Sequence, residues 1–265
     1  MSVLIGWQNQ VLSGSLAAGS AALPISNLQT QQGDPSTAWQ TVQGNVTASG
    51  GGGAFFHLDA GAAVSWRAFV LARTNLTSAA QIQWVVATNA DYSGQVYNSG
   101  LVSAGVAPGY GQSVVLAAAA VNGRYCLCNL YDPGNPDGFI SVALAFAGDC
   151  WSPAGGISYQ TAFGRDDSVA ELTTRGGQEY PLLQFQRRRW TIDFQSLRRD
   201  EVWNQVEEID RVSRGGQNIL FVPDSASLYL SRETVFGRLK SASDIGYPFQ
   251  FADRRSWRAT ISERI

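Results

Sequence analysis

The stretch "FFHLDAGAAVSWRAFVLARTNLT", residues 55–77, is rich in aromatic and β-branched residues, and Val64, Trp66, Ala68 and Val70 recur at every second position. Side chains that alternate with period two belong to a strand with one buried face. "AFFHLDAG" and "VSWRAFVLARTN" therefore predict two strands joined through small residues. The runs that follow, "AQIQWVVATN", "QVYNSGLV", "SVVLAAAA", "GRYCLCNLYD" and "DGFISVALAFAGDCW", repeat the pattern between Gly, Asn, Asp and Pro turns. Short strands at this spacing predict a β-sandwich over residues 1–150. The expected inward faces are Val64, Trp66, Ala68 and Val70; Ile82, Trp84 and Val86; and Ile140, Val142, Leu144 and Phe146.

Upstream, "NLQTQQGDPSTAWQT", residues 27–41, places Trp39 directly after a tight turn around Gly33, Asp34 and Pro35. A lone aromatic after such a turn is expected as a core anchor, with an exposed platform as the alternative. The glycine run Gly50–Gly53 precedes a strand, not a helix, so it reads as a flexible connection and not as a phosphate cradle. In "DPGNPDG", residues 132–138, the Pro and Gly residues suit tight turns better than a calcium cage built from Asp132, Asn135 and Asp137.

Charge is sparse and uneven. Charged residues make up 15% of the 265-residue chain and apolar residues 45%, against about 25% charged in ordinary soluble proteins. Residues 1–150 hold three basic residues (Arg67, Arg73, Arg124) and six acidic ones, while the remainder holds 16 and 15. That shift, with "CWSPAGG" at the junction, predicts two domains, 1–150 and 151–265.

The second half changes period. "RRWTIDFQSL" reads as a strand, and "SLRRDEVWNQVEEIDRVSRGG" as a helix with Val202, Val206, Ile209 and Val212 on one face and Trp203 flanking them. Ser196 is its expected N-cap, Asp200 and Glu201 suit its first turns, and Gly215 and Gly216 end it. Strands at "NILFVPD", "ETVFGRLKSA" and "WRATISERI" complete a smaller α+β domain with the helix packed on a sheet. The chain is thus expected to be mainly β.

Chemistry-bearing motifs are few. Cys126, Cys128 and Cys150 are odd in number, and a C-x-C pair on a strand sends both thiols to one face without completing a metal site. His57, the only histidine, reads as a surface strand residue. Asp166, Asp167 and Glu171 are the densest carboxylates, but "GRDDSVAEL" is read as a polar turn and strand start. No catalytic, cofactor or metal site is expected, and the chain is not expected to be an enzyme. The run Arg187–Arg189 alternates across a strand, so it reads as a solvated or interface-facing strand, and at a net charge of −2 no nucleic-acid partner is expected. Neither a basic leader nor a membrane helix is apparent, so synthesis in the cytoplasm and no membrane insertion are expected.

Two resemblances add to this reading. "NLQTQQGDPSTAWQT", "FFHLDAGAAVSWRAFVLARTNLT" and "WVVATNADYSG" resemble the discoidin or galactose-binding-like jelly roll, with "DAG" where "DLG" is usual. That resemblance implies a loop, carrying Asp34, Thr37 and Trp39, that faces a glycan. "RRRWTIDFQSL", "VWNQVEEID", "GGQNILFVPD", "VFGRLKSA" and "WRATISERI" resemble tail proteins of tailed bacteriophages, in which a helix-bearing β domain follows a jelly roll. It implies a virion structural protein of the tail tip or baseplate, located in the virion tail, with distal tail, hub and fibre subunits as partners.

The basic set of 18 Arg and one Lys suits an assembly surface, since guanidinium groups pair bidentately. Arg187, Arg189, Asp193, Glu207, Glu208, Asp210 and Arg211 are the candidate subunit contacts, in a homo-oligomeric ring whose first 150 residues fold alone. A carbohydrate-binding module that attaches to host glycans is the alternative function.

Overall fold

A computed structural model describes residues 2–49, 52–247 and 253–265; Gly50 and Gly51 of the glycine run lie outside them. The chain forms two compact units. The first comprises residues 1–152, 220–234 and 265, and the second residues 153–219 and 235–264. The expected boundary at 150 thus moves by two residues, and the second half of the chain returns one segment to the first unit. That segment returns because the apolar run "ILFV" pairs with the chain's apolar start, as described below.

The first unit is a β-sandwich built around one eight-stranded antiparallel sheet. Its main path is β3 (Trp39–Gln40), β9 (Ser141–Gly148), β4 (Phe55–Thr74), β8 (Ser113–Tyr131), β5 (Gln81–Ala87) and β6 (Gln95–Asn98), with β2 (Ser15–Ala18) on β4 and β7 (Val102–Ser103) on β5. The strand pairs expected at residues 54–75 and 113–132 are each one long strand. Irregularities in the β4–β8 register fall between Asp59 and Val64 and between Trp66 and Ala68. Such breaks bend a strand and increase its twist, which lets both halves of β4 line one core.

That core contains Phe56, Trp66, Phe69 and Leu71 of β4, Trp84 and Val86 of β5, and Cys126 and Cys128 of β8. Its aromatic rings form a chain: Trp39 edge-on to Phe56 at 5.5 Å, Phe56 edge-on to Trp84 at 5.7 Å, and Trp84 stacked with Phe69 at 5.0 Å. The break after Trp66 also shifts the inward face. Phe69 and Leu71 point into this cluster, opposite Ala147 and Ala145 of β9. Ala68 and Val70, expected to join Trp66, are buried outside the cluster, as are Leu144 and Phe146. Strict alternation from Val64 fails because the extra residue at the break inverts the parity.

β9 is buried on both faces. Against it lies the chain's start: a Cβ on Gly6 would come within 2.4 Å of the Phe146 ring, and one on Gly148 within 2.1 Å of the Gln8 carbonyl oxygen, so neither position admits a side chain. Asn9 ties the two together, donating to the Ala145 carbonyl at 2.9 Å and accepting from the Ala147 amide at 3.1 Å. β1 (Leu4–Gly6) pairs antiparallel with β12 (Ile219–Val222), with Ile5 opposite Phe221.

The second unit holds β10 (Ala162–Thr173), β11 (Glu179–Arg198), β13 (Val235–Ala242) and β14 (Arg254–Glu263) in the antiparallel order β13-β14-β11-β10. One face of β11 and β14 buries Ile192, Phe194, Trp257 and Ile261, with Phe194 stacked on Trp257 at 5.9 Å. A helical stretch over residues 199–214 buries Val202, Val206 and Ile209 and lies against β13. Its N-cap is Arg198, not Ser196, because β11 stays extended through Arg198, and Glu201 accepts from the Arg198 amide at 2.8 Å. "GRDDSVAEL" lies within β10 and is strand, not turn, because every residue from Arg165 to Leu172 is paired with β11 or sits at the bulge after Ser168.

Candidate functional site

The loop carrying Asp34, Thr37 and Trp39 is held from within. Asp34 caps a short 3-10 turn, Pro35–Thr37, accepting from the Ser36 amide at 2.8 Å. The Ser36 amide, the Ser36 hydroxyl and the positive charge of Arg73 hold its carboxyl below the ordinary range. Asp34 is exposed and Thr37 half-buried. Trp39 is 0% exposed and donates its indole N–H to the Ser20 carbonyl at 3.0 Å. It is the anchor beneath the loop, and its ring presents no face to a sugar.

Beside this loop lies a groove of about 520 Å³, lined by Pro35, Arg73, Asn75, Ser78, Pro108 and Tyr110 among others. Arg73 is exposed, and its backbone sits at φ +55°, in the left-handed region that non-glycine residues rarely occupy. Arg124 is engaged in a bidentate pair with Asp59 at 2.7 and 2.9 Å, and Arg73, which lines the groove, donates from Nε to the Gly33 carbonyl at 3.5 Å.

The loop 132–138 braces the groove floor. Asp132 accepts from the Thr77 amide (2.8 Å), the Thr77 hydroxyl (2.7 Å) and the Asn135 amide group (3.0 Å), and Asp137 accepts from Asn75 at 2.9 Å. The carboxylates that suggested calcium are used as hydrogen-bond acceptors, and among the described residues no group of three His, Cys, Asp or Glu is placed to hold a metal.

Of the candidate subunit contacts, Arg187 and Arg189 come together: both reach Asp166, at 3.3 and 3.0 Å, and Lys240 joins them at 3.4 Å. Burial pulls the Asp166 carboxyl up, but Arg189, Lys240 and Arg187 outweigh it and hold the group below its usual range. Asp193 is not a surface residue. It is 4% exposed, accepts from the Ser158 hydroxyl, and accepts from Gln195 at 2.7 Å. Glu207, Glu208, Asp210 and Arg211 lie on the helix instead, where Glu208 pairs with Arg211 and Asp210 with Arg214. The candidate subunit contacts therefore fall into two sets, one on the sheet and one on the helix, each partly satisfied within the chain.

One exposed apolar feature among the described residues lay outside the sequence reading. β11 pairs with β14 only from Arg189 onward, while its pairing with β10 extends to Glu179. Residues 166–187 are thus a two-stranded ribbon closed by the turn at 174–178. Leu172, Tyr180 and Leu182 are 64%, 56% and 58% exposed and share one face with Phe185. "YPLLQF" is apolar at both parities, which was the available signal.

No family model and no curated protein sequence matches the chain. It is similar to solved structures including the lectin domain of lectinolysin complexed with Lewis B antigen (14% identity, TM-score 0.40, covering 53% of this chain and 95% of that one). Others are an f-lectin from striped bass (Morone saxatilis) serum (11%, 0.41, 72% and 71%) and the family 32 CBM from C. perfringens NanJ in complex with galactose (16%, 0.39, 54% and 98%). At these identities and TM-scores the similarities bear on neither ligand nor activity.

Proposed function

We propose that the chain is a structural subunit of a multi-copy assembly, of the tail tip or baseplate kind that its second half resembles, placed in a virion tail and carrying no reaction of its own. The ribbon supports this reading. A two-stranded hairpin is marginally stable in water by itself, and soluble monomers rarely leave a contiguous apolar stripe uncovered. Covering Leu172, Tyr180, Leu182 and Phe185 against another chain removes that exposed surface, and each fully buried large side chain contributes about 1.5–3 kcal/mol. The test is the mass of the purified full chain by light scattering at 1 to 100 µM. Association that disappears in the triple variant Leu172→Ser, Tyr180→Ser, Leu182→Ser is expected. A wild-type chain that stays monomeric, alone and with neighbouring tail subunits, sinks the reading.

The groove supports a second role, binding of a host glycan by the first unit. Arg73 donates, Ser78 adds a hydroxyl, and Tyr110 supplies an aromatic edge, the mixture that orients a sugar in a shallow site. Titration of the protein with a glycan panel tests it: Arg73→Ala is expected to remove binding without changing the melting temperature. Absence of binding to any glycan, or binding unaffected by the substitution, excludes the groove.

A further inference from the structure

We infer that the open face of the second unit's sheet docks the acidic first unit of a second copy of this chain. The inference rests on the reading of the chain as an assembling subunit, and it names a second contact besides the ribbon.

Strand register defines the face. Arg189 lies opposite Gly164 on β10 and Ser262 on β14, and Ser262 lies opposite Arg238 on β13, so these residues share one side of the sheet. Two residues along, Asp166 faces Arg187, and four residues the other way Arg258 of β14 lies opposite Asp193. The other side carries the buried apolar residues Ile192, Phe194, Trp257 and Ile261, while on this side the small Ser262 and Asp193 are buried and the longer Arg189, Arg238 and Arg258 are exposed. The open side therefore collects Arg187, Arg189, Arg238 and Arg258, and Lys240 reaches it through its contact with Asp166. Arg238, Lys240 and Arg258 are exposed. Of the two carboxylates on this side, Asp193 is buried and Asp166 already has three cations around it. One carboxylate cannot neutralise three cations, so the face keeps a positive surplus, and Asp166 marks the chemistry it accepts.

Charge complementarity identifies the occupant. The first unit holds four basic and eight acidic residues, the second 15 and 13. Asp34, Asp91 and Asp137 of the first unit are exposed. A cationic face on one unit and an anionic surface on the other make a heterologous contact, in which each copy offers a different patch to each neighbour.

The chain's single lysine makes the test specific. Full-length protein, unlabelled and ¹⁵N-labelled in equal parts, is treated with a zero-length carbodiimide that joins amines to carboxylates, and the products are mapped by mass spectrometry. Bonds from Lys240 of one copy to Asp34, Asp91 or Asp137 of another are expected. Association is expected to weaken at least tenfold between 0.05 and 0.5 M NaCl, as screening shortens from about 14 to 4 Å. The variant Arg189→Glu, Arg238→Glu, Lys240→Glu should lose it, and mixing with Asp91→Lys, Asp137→Lys protein should restore it.

Salt-insensitive association with Lys240 linked only to Asp166 of its own chain overturns the inference and leaves the ribbon reading intact. A chain monomeric under every condition sinks both. Binding of a labelled DNA duplex that the triple reversal removes, without self-association, makes the occupant a polyanion and overturns the second copy.

Discussion

Single residues decide more here than motifs do. Trp39 joins the loop 33–38 to the aromatic chain of the core, with its ring on Phe56 and its N–H on Ser20. Trp39→Ala removes both contacts and leaves a cavity, so a loss of about 3–5 kcal/mol is expected in urea unfolding, the range for a truncated buried aromatic. A loss under about 1 kcal/mol would mean that the loop is held by its own hydrogen bonds. His57 sits on β4, half-buried, with Nδ1 2.9 Å from the Tyr92 hydroxyl and the two rings stacked. Burial lowers its pKa below 6.5. The folded chain then binds this proton less readily than the unfolded chain, so the stability is fully present above pH 6.5 and is lost as pH falls from there toward the folded value. Unfolding free energies between pH 7.5 and 5 should slope accordingly. His57→Gln, which cannot titrate, is expected to flatten the slope; an unchanged slope would assign it to other groups.

At the scale of elements, period-two alternation located the strands of the first unit, and period 3.6 located the helix, because each has one buried side to impose its repeat. What alternation could not place was the break after Trp66, since an inserted residue inverts the parity of everything beyond it. Both sides of the inversion are apolar, so nothing in Ala68, Phe69, Val70 or Leu71 signals which pair faces the core. The loop of Asp34 and Thr37 was legible, but Arg73 and Tyr110 were not, because the groove joins segments distant in sequence. The ribbon was missed for a different reason: a strand without a core shows no alternation, and its one signal is the run "YPLLQF", apolar at both parities. Its amides make the next prediction. With only one neighbouring strand, residues 167–173 and 179–186 are expected to exchange hydrogen for deuterium far faster than residues 189–191, which lie between β10 and β14. In the assembled form the same ribbon amides should slow markedly. Ribbon amides already as protected as 189–191 in the monomer would contradict a projecting hairpin.

For the whole molecule, the units cross the order of the chain, and this changes what a truncation does. Residues 1–150 were expected to fold alone. The first unit, however, takes Leu220, Phe221 and Val222 as the partner of β1, and all three are 0% exposed. Burying three such side chains contributes roughly 5–9 kcal/mol at about 1.5–3 kcal/mol each. Whole domains have only about 5–15 kcal/mol in total. A fragment ending at Ser152 therefore loses a contribution comparable to its entire stability, and it also bares the unpaired edge of β1. That fragment is expected to be insoluble or to lack a cooperative unfolding transition. Joining residues 220–234 to it through a flexible Gly/Ser linker should restore both solubility and a sharp transition, since the segment needs only to reach β1 and not to pass through the second unit. Equal cooperativity and equal midpoints for the two fragments would show that β12 is dispensable and that the sandwich closes without it.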